Sequence, residues 1–385
     1  MSYPLEGLRI LDMSRVLAGP FAGRMLADLG ADVVKVEPPD GDITRLWGAN
    51  INDLAGYYHQ QNLSKRDICV DLSVSQGAEL IKQLVSEADA LIENFRPGVM
   101  QRLGIGYEVL QQINPGLVML SISGFGADSP EAGRAAYAPI IHAEAGLMAR
   151  QGDQQPQDIA VPLADTNASL HGLVALLSAL LMRQHTGTGQ HIDLAMIDAT
   201  LVTDDHVHYA LEDSVHTKPL PSEVWDTVSG PIIIAGDFRY IWKQLVGLFG
   251  VADPTPEGAS FEEKVRLRRA TAQAFFRELP DRDALVNALD RMNMAWGDVR
   301  SGPGVFDLPT VKHRGSITRV DDGTGGERLV VQSPYRFSDA EAGVRSRAPH
   351  KGEHNTEVLE DWLGATGDDL ARWRSSGVLL DPESP

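Results

Sequence analysis

Cysteine is almost absent: Cys69 stands alone in 385 residues. That excludes an internal disulfide and any cysteine-built zinc or iron–sulfur centre, and it favours a reducing setting. Basic residues are in deficit too, with 34 Lys and Arg against 53 Asp and Glu and a formal net charge of −19. Such a field repels phosphate backbones and anionic bilayers, so no nucleic acid and no membrane is expected as a partner. Long apolar runs are missing. The most continuous one, Leu173 to Met182 with Ser178 inside it, falls far short of the roughly 20 residues that span a bilayer. The first residues have neither the basic start nor the apolar stretch of a signal peptide, and a cytoplasmic location is the expectation. None of the 11 histidines has H-E-x-x-H or a similar spacing, so no metal centre is expected.

The composition that is present, 43% hydrophobic and 23% charged, suits a chain with a sizeable core, and the length argues for two lobes. Leu8 to Met13, Asp32 to Glu37, Ala90 to Glu93, Leu117 to Ser123 and His191 to Met196 read as strands. Phe21 to Leu29, Ser75 to Glu87 and Asn167 to His185 read as helices between them. This alternation predicts an α/β fold with a Rossmann-like, parallel-sheet large lobe over residues 1–200. Beyond it the texture changes: His216 to Ser222 is polar and proline-containing, and Phe261 to Met292 has helical apolar spacing. A smaller α/β lobe is expected over 203–325. The strand-like Arg328 to Gln332 and helix-like Thr356 to Leu363 suggest that 326–385 return to complete the large lobe.

The first βαβ unit, closing on Glu37, has the outline of a dinucleotide-binding unit. Its turn reads Ser14-Arg15-Val16-Leu17-Ala18-Gly19-Pro20-Phe21-Ala22-Gly23, without the G-x-G-x-x-G that lets backbone approach a pyrophosphate, which argues against NAD or FAD. Pro20 suits the first turn of a helix. Asp165, in Pro162-Leu163-Ala164-Asp165-Thr166-Asn167, precedes the strongest helix. It reads either as an N-cap or as a carboxylate kept ionised at the positive end of a helix, where it can attack an activated acyl group.

Ordered blocks then carry a resemblance. Leu5 to Asp12, Val16-Leu17-Ala18-Gly19-Pro20, Leu29 to Glu37, Gly41-Asp42-Ile43-Thr44-Arg45, Asn62-Leu63-Ser64-Lys65-Arg66, Glu93 to Gly98, Ser121 to Gly126, Arg183 to Asp198, Pro334 to Ser338 and Gly352-Glu353-His354 follow one another as in the class III CoA-transferases. This is the family of formyl-CoA transferase, carnitine CoA-transferase and α-methylacyl-CoA racemase. The resemblance implies that Asp165 is the nucleophile and that acyl-CoA and a carboxylic acid are substrates, with no tightly bound cofactor. It implies CoA contacts from Val16, Ala18, Lys65, Asn94, Phe95 and Arg102, with Tyr137 beside the reacting carboxylate. It implies a homodimer of interlocked ring-shaped subunits.

Departures from the family pattern also carry meaning. Pro38 stands where formyl-CoA transferase has a CoA-binding arginine, which leaves Arg45 as the candidate substitute, and Leu17 replaces a glutamine of the oxalate site. A larger or more apolar acid than oxalate or formate is therefore expected. Racemising relatives have a histidine at the position matching Tyr137. Histidine titrates near neutrality and tyrosine at about 10, so transfer is favoured over α-proton exchange. His142 is the one histidine near the expected site. A racemase or isomerase of the same family and a non-catalytic CoA-binding relative are the alternatives.

Overall fold

The structure is a computed structural model that describes residues 2–151, 155–212 and 221–381. Most of the polar segment from His216 to Ser222 therefore lies outside the described residues. The chain divides into two compact units, Met1–Asp205 with His313–Pro385, and His206–Lys312. The hairpin of Ile317–Asp321 and Glu327–Val331 goes with the first unit, where Val320 and Val330 pack on Leu63. The unit boundary thus precedes the whole hairpin rather than cutting it at 325.

The first unit is built on six strands, β1 (Arg9–Asp12), β2 (Asp32–Glu37), β3 (Arg66–Cys69), β4 (Ala90–Glu93), β5 (Val118–Ser123) and β6 (Gln190–Ala195). They form one sheet in the order β3-β2-β1-β4-β5-β6, and every pair is parallel. This is the doubly wound order of dinucleotide-binding folds. Side-chain alternation fills both faces. Ile10, Ala90, Ile92, Val118, Leu120 and Ile122 pack against α1 (Ala18–Asp28) and a later 24-residue helix, Leu163–Thr186. On the other face, Leu11, Val34, Leu91 and Met119 meet α2 (Ser75–Ser86) and the C-terminal Asn355–Leu363.

β3 escapes a reading by pattern because Arg66 and Asp67 interrupt its apolar run. The C-terminal segment covers its edge: Cys69 N–H donates to Asn355 Oδ1 at 2.9 Å, Leu380 N–H donates to Cys69 O at 3.1 Å, and Trp362 Nε1 donates to Asp32 at 2.8 Å. An exposed edge strand is a liability, and this cover removes it.

The second unit has an antiparallel three-stranded sheet with Ile232–Ala235 between Ser222–Trp225 and Ala295–Asp298. The helical spacing of 261–292 resolves into Phe261–Glu278 and Arg282–Arg291, divided at Pro280, which has no N–H to continue the first helix. Trp225, Phe238, Phe276 and Leu289 form its core. Among the described residues no helix is long and apolar enough to cross a membrane.

Candidate active site

The turn from β1 into α1 sits at the carboxyl end of the sheet, where the chain runs outward on both sides of β1. In such folds this switch point is where ligands bind. Val16 has φ of 68°, a left-handed conformation costly for a β-branched residue. Three hydrogen bonds hold it. Val16 N–H donates to Asp42 Oδ2 at 3.1 Å, Arg15 N–H donates to Asn94 Oδ1 at 2.7 Å, and Asn94 Nδ2 donates to Arg15 O at 2.8 Å. Gly19 is required because a Cβ there would lie 2.1 Å from Ser14 Cβ.

The backbone N–H groups of Ala18, the first residue of α1, and of Ala138, first residue of α3 (Ala138–Glu144), both act on the Asp165 carboxylate and favour its ionised form. Asp165 itself is the third residue of α4 (Leu163–Thr186), whose N-cap is Pro162. It therefore does not cap its own helix. Three helix starts instead converge on it, each contributing positive partial charge. Burial still dominates and raises the Asp165 pKa to about 6, with the two backbone N–H groups only partly offsetting it. No lysine or arginine is among these influences.

Asp165 lines a cleft of about 330 Å³ together with Val16, Ala18, Asn94, Phe95 and Tyr137, which joins six of the eight expected residues. Tyr137 is 62% exposed. An adjoining, mostly apolar cavity of about 200 Å³ is lined by Val36, Pro38, Leu72 and Leu103, with Arg15 and Phe95 common to both.

Two expected residues are elsewhere. Lys65 is fully buried, and its ammonium donates to Asp12 Oδ2 at 2.7 Å, Asn62 Oδ1 at 2.8 Å and Pro20 O at 2.9 Å. All three of its hydrogens are engaged, so it holds the turn and has none left for a phosphate. Arg102, exposed at the end of the short helix Val99–Arg102, lines neither cavity. Arg45, the substitute considered for Pro38, is tied to Glu37, stacked 3.7 Å over the Tyr58 ring and bonded to Pro349 O at 3.2 Å.

The cations that do line the cleft are Arg15, Arg96 and Arg134. Arg134 lies over the Phe125 ring at 4.6 Å and pairs with Glu131 and Glu144. Arg15 escaped notice in the sequence although it touches Val16, because nothing local tells whether an arginine faces a cleft or bulk water. Tyr57 was also missed. Burial first, then the charges of Asp165 and Asp42, pushes its phenol up to about 12, which sets it beside the site. It stands edge-on to Trp47, with centroids 5.2 Å apart.

His142 is 1% exposed. Its Nε2 accepts Ala164 N–H at 3.2 Å and its Nδ1 lies 2.9 Å from Asp158 Oδ1. With both ring nitrogens engaged it offers no free base to a substrate. What the site presents is one carboxylate, ionised above about pH 6, amid fixed N–H dipoles, with guanidinium groups along one wall.

The family model described as CoA-transferase family III matches residues 5–355. A succinate–glutarate CoA-transferase from Agrobacterium fabrum is 33% identical over 384 residues, covering 93% of this chain and 95% of the relative. A succinyl-CoA–D-citramalate CoA-transferase from Chloroflexus aurantiacus is 31% identical, covering 98% of each. The crystal structure of a CAIB/BAIF family protein from Brucella suis superposes with a TM-score of 0.80 at 34% identity, covering 94% of this chain and 100% of that one.

Proposed function

Because the chain belongs to CoA-transferase family III, we propose that it moves CoA from an acyl-CoA thioester to a free carboxylic acid through covalent intermediates on Asp165. The carrying observation is a carboxylate on the cleft wall with N–H groups from two helix starts directed at it. With a pKa of about 6 it is roughly nine-tenths ionised at pH 7, and its partial desolvation keeps it nucleophilic.

The carboxylate attacks the thioester carbonyl, the C–S bond breaks, and CoA leaves as thiolate from a mixed aspartyl–acyl anhydride. The thiolate attacks the aspartyl carbonyl and expels the donor acid, leaving an aspartyl–CoA thioester. An acceptor carboxylate attacks that thioester and releases the thiolate again. The thiolate then takes the new acyl group and frees Asp165. Each oxyanion formed at the aspartyl carbonyl meets the N–H groups of Ala18 and Ala138, which need no reorganisation to stabilise it. Thioester energy stays on the protein instead of being lost to water.

In this reading Phe95, Pro38 and Leu72 take the adenine in the apolar cavity. Arg15 and Arg96 meet the phosphates, and the thiol arm runs past Val16 and Ala18. Lys65 and Arg102 drop out of the CoA contacts. Asn94 acts by holding the Arg15 backbone, and Tyr137 faces the acyl group. Dicarboxylic acids of the succinate and glutarate class are the substrates to test first, given what the two transferase relatives are named for. α-Proton exchange is disfavoured, because His142 has no free nitrogen.

A homodimer is part of the proposal, with the interlocked form expected from the family. Leu170, Val174 and Leu181 form an exposed apolar stripe on α4, with Val202 on the helix packed beside it; a second copy is the natural cover for such a face. A folded monomer in sedimentation at micromolar concentration rules the dimer out.

The deciding test is trapping. Incubation with succinyl-CoA and then hydroxylamine or borohydride, read by peptide mass spectrometry, is expected to mark Asp165. The mark disappears in Asp165→Ala together with transfer. Full transfer by Asp165→Ala refutes the mechanism.

A further inference from the structure

We infer that His142 is a positioning residue for Asp165: a neutral imidazole, oriented by Asp158, caps the start of α4 and sets where the carboxylate points. The inference rests on the nucleophilic reading of Asp165 given above.

A helix start leaves its first N–H groups without intrahelical partners. α4 begins after Pro162, whose side chain accepts nothing. Leu163 N–H turns back to Val161 O at 2.7 Å and Thr166 N–H reaches Pro162 O at 3.1 Å. Of the two N–H groups between them, that of Ala164 goes to His142 Nε2. A backbone N–H can only donate, so Nε2 carries the lone pair and the ring proton sits on Nδ1, which donates it to Asp158 Oδ1. That bond, the largest influence on Asp158, holds its carboxyl below the usual range. An imidazolium has no acceptor left, so the cap exists only with a neutral ring.

The placement on α3 makes this more than a local cap. Ala138 opens α3 and His142 follows one turn later on the same helix. The first sends its N–H to the Asp165 carboxylate and the second grips the peptide just before Asp165. α3 thus holds the nucleophile at two points, one on its side chain and one on its backbone. Losing the backbone grip frees the first turn of α4 to drift while the arginine-bearing wall of the cleft is untouched.

The test compares acceptor with no acceptor, using succinyl-CoA and glutarate as the substrate pair. His142→Ala is expected to lower kcat about 10- to 100-fold, the cost of a displacement near 1 Å, with KM for succinyl-CoA within about twofold. Trapping at Asp165 slows by the same factor. His142→Gln, whose amide oxygen accepts the Ala164 N–H, is expected to stay within about threefold of the parent. In the unaltered protein with 15N-labelled histidine, the His142 resonances are expected to be those of the Nδ1–H tautomer. An Nε2–H tautomer, an imidazolium at pH 7.5, a His142→Gln loss as large as that of His142→Ala, or a fully active His142→Ala overturns the inference. If His142→Ala does not fold, the glutamine variant and the tautomer still decide it. Absence of any Asp165 adduct in the parent protein defeats the proposed function instead, and the tautomer spectrum separates the two failures.

Discussion

Beneath the turn from β1 to α1, buried carboxylates are matched by cations; along β4 and α4, Glu93 and Asp165 have no lysine or arginine acting on them, and the charge of Asp193 adds to the burial of Glu93. The chemistry of the two sets differs accordingly. Burial pushes Asp12 up, but Lys65 and Lys35 outweigh it and hold the group below its ordinary value. Asp42 is likewise lowered, with Lys35 opposing burial, and Glu37 falls well below the usual range with Arg45 against it. Asp67 is the exception, kept high by burial and by the charge of Glu37. In the unmatched set burial wins. Glu93 rises to about 7, with Ser121 and Phe95 N–H only partly offsetting it, and Asp165 rises to about 6. Matched charges make a floor for the turn, and unmatched ones remain titratable nearer neutrality.

The most damaging way to break this contrast is Lys65→Ala. It strips the buried Asp12 of its hydrogen-bonded cation, leaving only the longer-range charge of Lys35, and is expected to cost about 3–5 kcal/mol, read by denaturant unfolding. If Lys65 were a phosphate ligand instead, stability would hold and only KM would rise.

Asp165→Asn is expected to work in the opposite sense. A carboxyl raised from 3.8 to about 6 binds its proton more tightly folded than unfolded, so its ionisation destabilises the fold as pH rises through 4 to 6 and stays unfavourable above. Removing the charge should add about 1–2 kcal/mol at pH 7.5, after allowance for its partial exposure. That gain should shrink toward pH 4 while transfer is abolished. Paired melting curves at the two pH values check it, and an equal gain at both rejects the raised pKa.

Arg15→Ala is expected to raise the succinyl-CoA KM about tenfold, some 1.4 kcal/mol, at nearly unchanged stability. Arg102→Ala should change KM by less than about twofold, as exposed residues away from a site usually do. Steady-state kinetics reversing that order would return the phosphate role to Arg102. The smallest effect is one of shape: kcat/KM should rise with pH along an acid limb centred near 6, the Asp165 value, because the attacking form is the ionised one. A limb near 4 would mean that Asp165 is not desolvated in the free enzyme.

Much of this molecule was legible in its sequence. The strands β1, β2, β4 and β5 were readable from apolar runs between turn residues, because buried parallel strands are apolar on both faces, whereas β6, at the sheet edge, alternates exposed His191 and Asp193 with half-buried Ile192 and Leu194. Asp165, Asn94 and Phe95 stand in ordered motifs, and the structure brings them to one cleft. Lys65 was expected at CoA and is tied to Asp12, while Arg15, for which the sequence offered no role, lines the cleft. The first lies in a recognisable block and the second in an unremarkable one, and local sequence holds no information on which cation meets a buried aspartate across 53 positions of chain.

The sequence by itself therefore determined the alternation of strand and helix, the family and the carboxylate proposed as nucleophile, since these depend on residue type and order along the chain. Only the tertiary structure decided which charges pair. It brought the starts of α1, α3 and α4 to one carboxylate, put Lys65 beneath the turn and Arg15 on the cleft wall, and enlisted His142 as the cap of α4. Electrostatic energy depends on distance and burial, and both are set by packing between segments far apart in the chain.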